Sequence, residues 1–358
     1  MVPGESADVR LARPDVGEEE LAEVAAVLET GQLTMGPKVA ELESELARAC
    51  GTEHAVVVSS GTAALHLAVL ALGIGPGDEV IVPAYTFPAT ANVVALAGAR
   101  PVLADVDAES FNIDPDRVKL TPRTKAIVPV HLFGRPARLE ELPAGVAVLE
   151  DAAGALGARR QGRACGGLGA AGCLSFHPRK IVTTGEGGAV TTNDTELAER
   201  VKSLRHHGWS PSDRYDEMPA GAFNYRLSDI LCAVGIPQVR RLEGLLSARE
   251  RVATGYAERL RDLPVTLPSA DEGDRHGWQA YVIQLDRRDE AMTALRARGI
   301  QCQIGTYALH RLSAYRDQGS FPGADACFER CLALPLHSRL TDAELDRVTE
   351  ALTAVVSE

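Results

Sequence analysis

Between residues 55 and 195 of this 358-residue chain, short apolar runs alternate with stretches of helical spacing, and no other feature restricts the fold so strongly. The apolar runs fall at 54–60, 79–83, 101–106, 125–130, 146–150 and 172–176. Runs such as Ala126-Ile127-Val128-Pro129-Val130 and Val146-Ala147-Val148-Leu149 carry no polar alternation. A strand that is apolar on both faces needs cover on both, as in a sheet lying between two layers of helices. The alternation therefore predicts an α/β layer structure around a mostly parallel sheet. In such sheets ligands collect beyond the carboxyl ends of the strands, so the residues ending each run are the first candidates for a site.

After Asn224 the pattern changes. Residues 238–262, rich in Arg, Leu and Glu, predict one long helix linking two domains. Beyond it, Trp278-Gln279-Ala280-Tyr281-Val282-Ile283-Gln284-Leu285 alternates as a strand does, 289–298 predicts a helix ended by Gly299, and a second strand is expected from Ile300. Thr341-Asp342-Ala343-Glu344 has the capping-box pattern and is followed by Leu345, Val348, Leu352 and Val355 on one stripe. The expected organisation is an N-terminal arm at 1–14, a large α/β domain at 15–240 and a small α+β domain at 241–358.

With 45% hydrophobic residues the chain can bury a substantial core. Its net charge of -12 and lack of a basic stripe argue against a nucleic-acid surface. No apolar run approaches the roughly 20 residues that span a bilayer, so no membrane contact is expected. Met1-Val2-Pro3-Gly4-Glu5-Ser6 shows no basic stretch followed by an apolar core, so no signal peptide is expected. Seven cysteines, scattered without a C-x-x-C pair, point to a reducing cytoplasm. Cys327 and Cys331, four apart on an expected helix, read as core neighbours, and no metal is assigned.

Lys180 closes the run Ser175-Phe176-His177-Pro178-Arg179-Lys180 and precedes the small-residue loop Thr183-Thr184-Gly185-Glu186-Gly187-Gly188. Taken alone it reads as a solvated lysine. An amine presented this way can also form a Schiff base, and lysine is the usual anchor of pyridoxal phosphate. Three upstream features favour the second reading. Ser59-Ser60-Gly61-Thr62-Ala63-Ala64-Leu65 follows an apolar run and opens a helix, whose free amides suit a phosphate or serve merely as a cap. Asp151 ends the run at 146–150, where it either pairs with a protonated pyridine nitrogen or caps the next turn. Phe87, in Tyr85-Thr86-Phe87-Pro88, either stacks on a flat heterocycle or packs in its loop. Ser175 offers a further hydroxyl to a phosphate. Lys180 would also move a proton at the substrate carbon, a task that needs it partly neutral; a desolvated place near another cation favours that.

These blocks together resemble the DegT/DnrJ/EryC1/StrS sugar aminotransferase family, pyridoxal-phosphate enzymes of fold type I. The likeness runs nearly end to end. It begins at Gly31-Gln32-Leu33-Thr34-Met35-Gly36-Pro37 and includes Gly75-Pro76-Gly77-Asp78-Glu79-Val80-Ile81-Val82-Pro83, Glu150-Asp151-Ala152-Ala153 and Asn224-Tyr225-Arg226-Leu227-Ser228-Asp229. The resemblance implies a seven-stranded type of sheet between helices plus a small C-terminal α+β domain. It implies Lys180 as the Schiff-base lysine, Asp151 as the pyridinium partner, Gly61, Thr62, Ala63 and Ser175 as the phosphate cradle, and Phe87 as the stacking aromatic. In the family the asparagine matching Asn224 reaches the phosphate of the neighbouring subunit, which implies a homodimer with shared sites. Tyr225, Arg226 and His310 are implied substrate contacts or else interface packing.

Two positions depart from the family pattern. Gly154 stands where many members carry a Gln or His that reaches the cofactor's phenolic oxygen, and Ala308 stands where proline is common. The implied reaction takes an amino group from glutamate or glutamine to a keto-sugar, nucleotide-linked, with Arg159, Arg160 and Arg226 as candidate basic contacts. The alternatives are a keto-cyclitol acceptor, a pyridoxamine-phosphate sugar dehydratase, and a non-catalytic regulatory protein. Such dehydratases usually carry histidine where this chain has Lys180, which disfavours that alternative.

Overall fold

Val56 and Val58 of strand β1 (His54–Val58) enter one hydrophobic core, while Ala55 and Val57 enter another on the opposite face. This is the period-two pleat acting on a run with no polar position. The computed structural model, which describes residues 8–209, 221–316 and 318–356, repeats it along the chain; the first seven residues of the expected arm lie outside the described residues. The strands that follow are β2 (Glu79–Pro83), β3 (Tyr85–Thr86), β4 (Arg100–Ala104), β5 (Thr124–Ile127), β6 (Ala147–Asp151), β7 (Arg159–Arg160), β8 (Arg163–Ala164), β9 (Ala171–Ser175) and β10 (Gly188–Thr192). Seven strands form one sheet in the order β1-β10-β9-β6-β5-β2-β4. From β9 to β4 every neighbouring pair is parallel, and β10 runs antiparallel to both β1 and β9.

Helices cover both faces. Gly61–Ala71 packs between the sheet and the helices Ala89–Leu96 and Thr195–Arg205, with Ala64, Leu67, Ala68 and Val69 fully buried. Pro37–Cys50 and Asp229–Arg240 cover the other face through Leu42, Leu46 and Ile236. Each such Leu or Ile contributes about 1.5–3 kcal/mol relative to exposure.

A smaller sheet has β14 (Cys331–Leu334) at its centre, antiparallel to β11 (Tyr281–Gln284) and β12 (Gln303–Ile304). The helices Leu242–Leu260, Arg288–Ala297 and Asp342–Val356 close its core around Tyr256, Ile283, Leu295, Leu345 and Leu352. The capping box forms as the sequence predicts, with Glu344 Oε2 accepting from the Thr341 amide at 2.8 Å and Thr341 Oγ1 accepting from the Glu344 amide at 3.2 Å. Val9 docks here, its amide donating to the Gly299 carbonyl and its carbonyl accepting from the Gln301 amide, both at 2.9 Å. The two sheets meet where β13 (Tyr307–Ala308) pairs with β3.

Five expectations change. Cys331, expected on a helix with Cys327, opens β14, the helix ending at Arg330. The helix expected over 238–262 is two helices, parted at Arg241 (φ -99°, ψ 21°), whose guanidinium reaches Glu20 at 2.5 Å and the Asp15 carbonyl at 2.7 Å. The strand read over 278–285 shrinks to Tyr281–Gln284, because Trp278 sits at φ 46°, in the left-handed region that strands avoid. The strand expected from Ile300 begins at Gln303, Ile300 being taken by the bridge to Val9. Finally, β10 was hidden in the tail of the small-residue loop. A Cβ on Gly188 would lie 2.5 Å from the Ser60 carbonyl oxygen, so only glycine lets this strand slide between its neighbours.

Candidate active site

The carboxyl ends of β1, β2, β5, β6 and β9 open into one cavity of about 470 Å³. Gly61, Thr62, Phe87, Asp151, Ser175 and Lys180 all line it. Lys180 comes from the turn after β9, its amide donating to the His177 carbonyl at 2.8 Å. Its side chain keeps some exposure to the cavity. The protein packed around its amine holds the pKa below the ordinary lysine value; Asp151 opposes that shift and Arg179 adds to it.

Asp151 ends β6 and is 5% exposed. Its Oδ2 accepts from the Thr90 hydroxyl at 2.7 Å, and its Oδ1 accepts from the Ala153 amide at 3.2 Å. The carboxylate therefore caps the following turn while keeping a face on the cavity. Among the described residues no cationic side chain forms an ion pair with it, so a buried anion is left with room for a cation. Glu150, one residue earlier, accepts from His131 Nε2 at 2.8 Å and from the amides of Gly166, Leu168 and Gly169, each at 2.7 Å. The Ala137 amide donates to His131 Nδ1 at 2.9 Å, which fixes the imidazole proton on Nε2. Burial works against ionising Glu150, but the His131 contact and those amides hold its pKa below the usual value.

The helix Gly61–Ala71 begins on the cavity wall. Ser60 is extended (φ -166°, ψ 165°), and its Oγ accepts from the Ala63 amide at 3.0 Å. Ala63 is thus turned inward and does not line the cavity. The amides of Gly61 and Thr62 have no acceptor within the described residues. A Cβ on Gly61 would lie 2.8 Å from the Ser175 Cβ, so glycine is what lets the helix start close on β9. Free amides at a helix start, two hydroxyls, a buried carboxylate without a cation and a desolvated amine are the donors and acceptors that pyridoxal phosphate requires, and these residues fit it.

Phe87, 60% exposed at the cavity, meets Tyr307 edge to face at 6.2 Å. The remaining sequence candidates lie off the cavity. Asn224 is exposed, with its backbone bridged to His206. Tyr225 stacks on Phe223 at 4.7 Å, and the Arg226 guanidinium meets the His206 ring. His310 Nε2 bonds Asp325 Oδ1 at 3.0 Å. Arg159, on the β7–β8 hairpin, donates to the Gly162 carbonyl at 2.9 Å, and Arg160 is engaged by Glu140, Asp271 and Asp274. Arg160 is therefore satisfied at home rather than reaching a nucleotide.

Several cavity residues went unmarked in the sequence. Thr90, the second residue of the helix after Phe87, is buried behind Asp151 rather than on the cavity wall, and the paired acids Glu150-Asp151 at a strand end were a usable signal for a buried acceptor. Gln279 and Gln303 gave no signal, since they arrive from over 120 residues beyond Gly154. A Cβ on Gly154 would be 3.4 Å from both Cγ and Oε1 of Gln279, so Gln279 fills the space that Gly154 leaves. Arg249, buried, donates to the carbonyls of Trp278 at 3.0 Å, Gln279 at 3.4 Å and Lys180 at 3.5 Å, tying the lysine turn to the segment that delivers Gln279. Among the described residues no cluster of three or more metal-ligating side chains occurs, and no helix is long and apolar enough to cross a membrane.

The model of the DegT/DnrJ/EryC1/StrS aminotransferase family matches residues 14–353. The aminotransferase TlmJ from Streptoalloteichus hindustanus is 36% identical and superposes with a TM-score of 0.93, covering 98% of this chain and 99% of its own. Spr1654 from Streptococcus pneumoniae in its PLP-form is 30% identical, with a TM-score of 0.92 over 98% and 99% of the two chains. Helicobacter pylori PseC, an aminotransferase involved in the biosynthesis of pseudoaminic acid, is 28% identical, with a TM-score of 0.92 over 98% and 99%.

Proposed function

Because the chain belongs to the DegT/DnrJ/EryC1/StrS aminotransferase family, whose members depend on pyridoxal phosphate, we propose that it moves the amino group of glutamate or glutamine onto the ketone of a nucleotide-linked sugar. Glutamate and keto-sugar would leave as 2-oxoglutarate and amino-sugar, with no net redox change. The observation that carries this reading is the desolvated Lys180 amine sharing one cavity with the unpaired Asp151 carboxylate.

When bound, the cofactor supplies an electron sink that lets the bond from the nitrogen-bearing carbon to its hydrogen break. Asp151 would hold the ring nitrogen's proton by charge. The Gly61 and Thr62 amides, with the Thr62 and Ser175 hydroxyls, would bind the phosphate at the positive end of the helix dipole. Lys180, its proton affinity lowered by burial, would hold and move the proton at the substrate carbon. Phe87, on the cavity wall with Tyr307 edge to face against it, would stack on the cofactor ring.

Asn224 is exposed and off its own cavity, which supports the homodimer reading in which it reaches the site of a second copy. All seven cysteines are buried and unbridged, in keeping with a reducing cytoplasm. PseC, through its part in pseudoaminic acid biosynthesis, supports a sugar as acceptor.

The test is a two-half assay on purified enzyme. Amino donors are scored by loss of the visible absorbance of the lysine-bound cofactor, then keto-sugars by its return. Return with a nucleotide-linked keto-sugar supports the reading; return only with a keto-cyclitol replaces the acceptor.

A further inference from the structure

Arg179 is the sole arginine among the described residues lining the cavity. It precedes Lys180 in the turn after β9. Its Nη1 donates to Gln303 Oε1 at 2.9 Å, and its backbone carbonyl accepts from Gln279 Nε2 at 3.3 Å. No carboxylate forms an ion pair with it among the described residues. Arg160, by contrast, is ringed by Glu140, Asp271 and Asp274. Burial lowers the proton affinity of Arg179, partly offset by Tyr307, as befits a cation whose counter-charge is missing. Gln303 and Gln279 are neutral amides. They steer the guanidinium and its backbone without supplying an anion.

The missing anion can be identified from the reaction's own geometry. The α-carboxylate of an amino acid lies two bonds from the nitrogen it gives up, about 2.5 Å by ordinary bond lengths. That nitrogen must come to the place of the Lys180 amine, so only a cation beside Lys180 can meet the carboxylate. Arg179 is the residue next to Lys180 in the turn after β9 and lines the same cavity. The diphosphate of a nucleotide-linked sugar is several bonds farther from the reacting carbon.

We propose that Arg179, steered by Gln303, binds the α-carboxylate of the amino donor and thereby selects α-amino acids over other amines. The proposal rests on the aminotransferase reading and names its donor site. A guanidinium and a carboxylate form two parallel N–H to oxygen bonds, which a neutral amide cannot reproduce. Arg179 keeps the Gln303 bond in the resting site and turns its free N–H groups to the donor. The Gln303 carbonyl oxygen occupies one Nη1 hydrogen and leaves the other N–H groups of the guanidinium to the carboxylate.

The experiment compares wild type with Arg179→Gln, Arg179→Lys and Gln303→Leu, each as cofactor-loaded enzyme checked by visible absorbance and thermal midpoint. Calorimetric titration with glutarate, which carries a carboxylate but no amine, reads binding without turnover. Titration with UDP reads the sugar-nucleotide side. The first half-reaction is run with L-glutamate and with isoglutamine, in which the α-carboxylate is an amide. Arg179→Gln is expected to weaken glutarate and L-glutamate by about 10- to 100-fold while leaving UDP unchanged, and to erase the preference for L-glutamate over isoglutamine. Arg179→Lys should lose less, and Gln303→Leu a few-fold. If Arg179→Gln keeps wild-type glutarate and L-glutamate affinity, the proposal is overturned. Weakened UDP with unchanged glutarate also overturns it and assigns the guanidinium to the diphosphate. If Arg179→Gln does not load cofactor, Arg179→Lys and Gln303→Leu decide by the same criteria. A wild-type enzyme that reacts with no amino acid overturns the aminotransferase reading itself, a different failure from a normal wild type with an unaffected variant.

Discussion

Glu150 and Asp151 are consecutive carboxylates at the end of β6, yet they serve opposite sides of the sheet. Asp151 faces the cavity and takes the Thr90 hydroxyl, while Glu150 is sealed behind it by His131 and three backbone amides. The pleat alone separates them. Their substitutions should therefore fail differently. Asp151→Asn keeps the fold and lowers donor half-reaction rates by about 100-fold or more. Glu150→Ala leaves buried donors unpaired and costs about 3–5 kcal/mol, read from urea midpoints. Equal losses of stability in the two variants would contradict this division of roles.

Lys180 titrates below its ordinary value of 10.5 in the folded, cofactor-free protein. Between that lowered pKa and 10.5 the unfolded chain binds more protons at this residue, so the residue's contribution to stability rises with pH through that window, and below it the penalty is fully present. Cofactor-free Lys180→Met should thus be more stable than wild type near neutral pH, with the difference shrinking as pH climbs toward 10.5. Denaturant midpoints at stepped pH measure it, and a pH-independent difference would count against a desolvated amine.

Gly61→Ala drives a methyl group to 2.8 Å from the Ser175 Cβ and 3.1 Å from its Oγ. Relief requires β9 or the helix start to move, at about 1–3 kcal/mol. The thermal midpoint should fall and cofactor affinity weaken. Pairing the change with Ser175→Gly removes both contact atoms, so the double variant should regain the lost stability while its phosphate affinity stays low.

Gly154 and Gln279 share one space. Gly154→Ala places its Cβ at ordinary contact distance, 3.4 Å, and should be tolerated within about 1 kcal/mol. Gly154→Gln should displace the Gln279 amide and weaken cofactor binding measured by equilibrium dialysis. Gly154→Gln combined with Gln279→Ala should bind more tightly than Gly154→Gln alone. No recovery in the double variant would show that the two side chains do not compete.

Local pattern carried far in this chain. The doubly covered strands, the helix start after Ser60, the capping box at Thr341, the placement of Asp151 at a strand end and of Lys180 in the turn after one all follow from short-range spacing. Where the reading fell short, a distant contact overruled a local one. Arg241 breaks a regular helical pattern because Glu20 and the Asp15 carbonyl hold its side chain. Arg160 looked available as a basic contact, but three acids from elsewhere in the chain claim it.

By itself the sequence determined six of the large sheet's seven strands and which residues stand at their carboxyl ends, since the two-residue pleat and the 3.6-residue turn are written into neighbouring positions. The insertion of β10 between β1 and β9, the arrival of Gln279 beside Gly154 and the steering of Arg179 by Gln303 were decided only in three dimensions. Those contacts join residues 12 or more positions apart, and in the last two cases more than 120. Nothing in local periodicity encodes such a meeting. It depends on how whole layers pack once their apolar faces are buried.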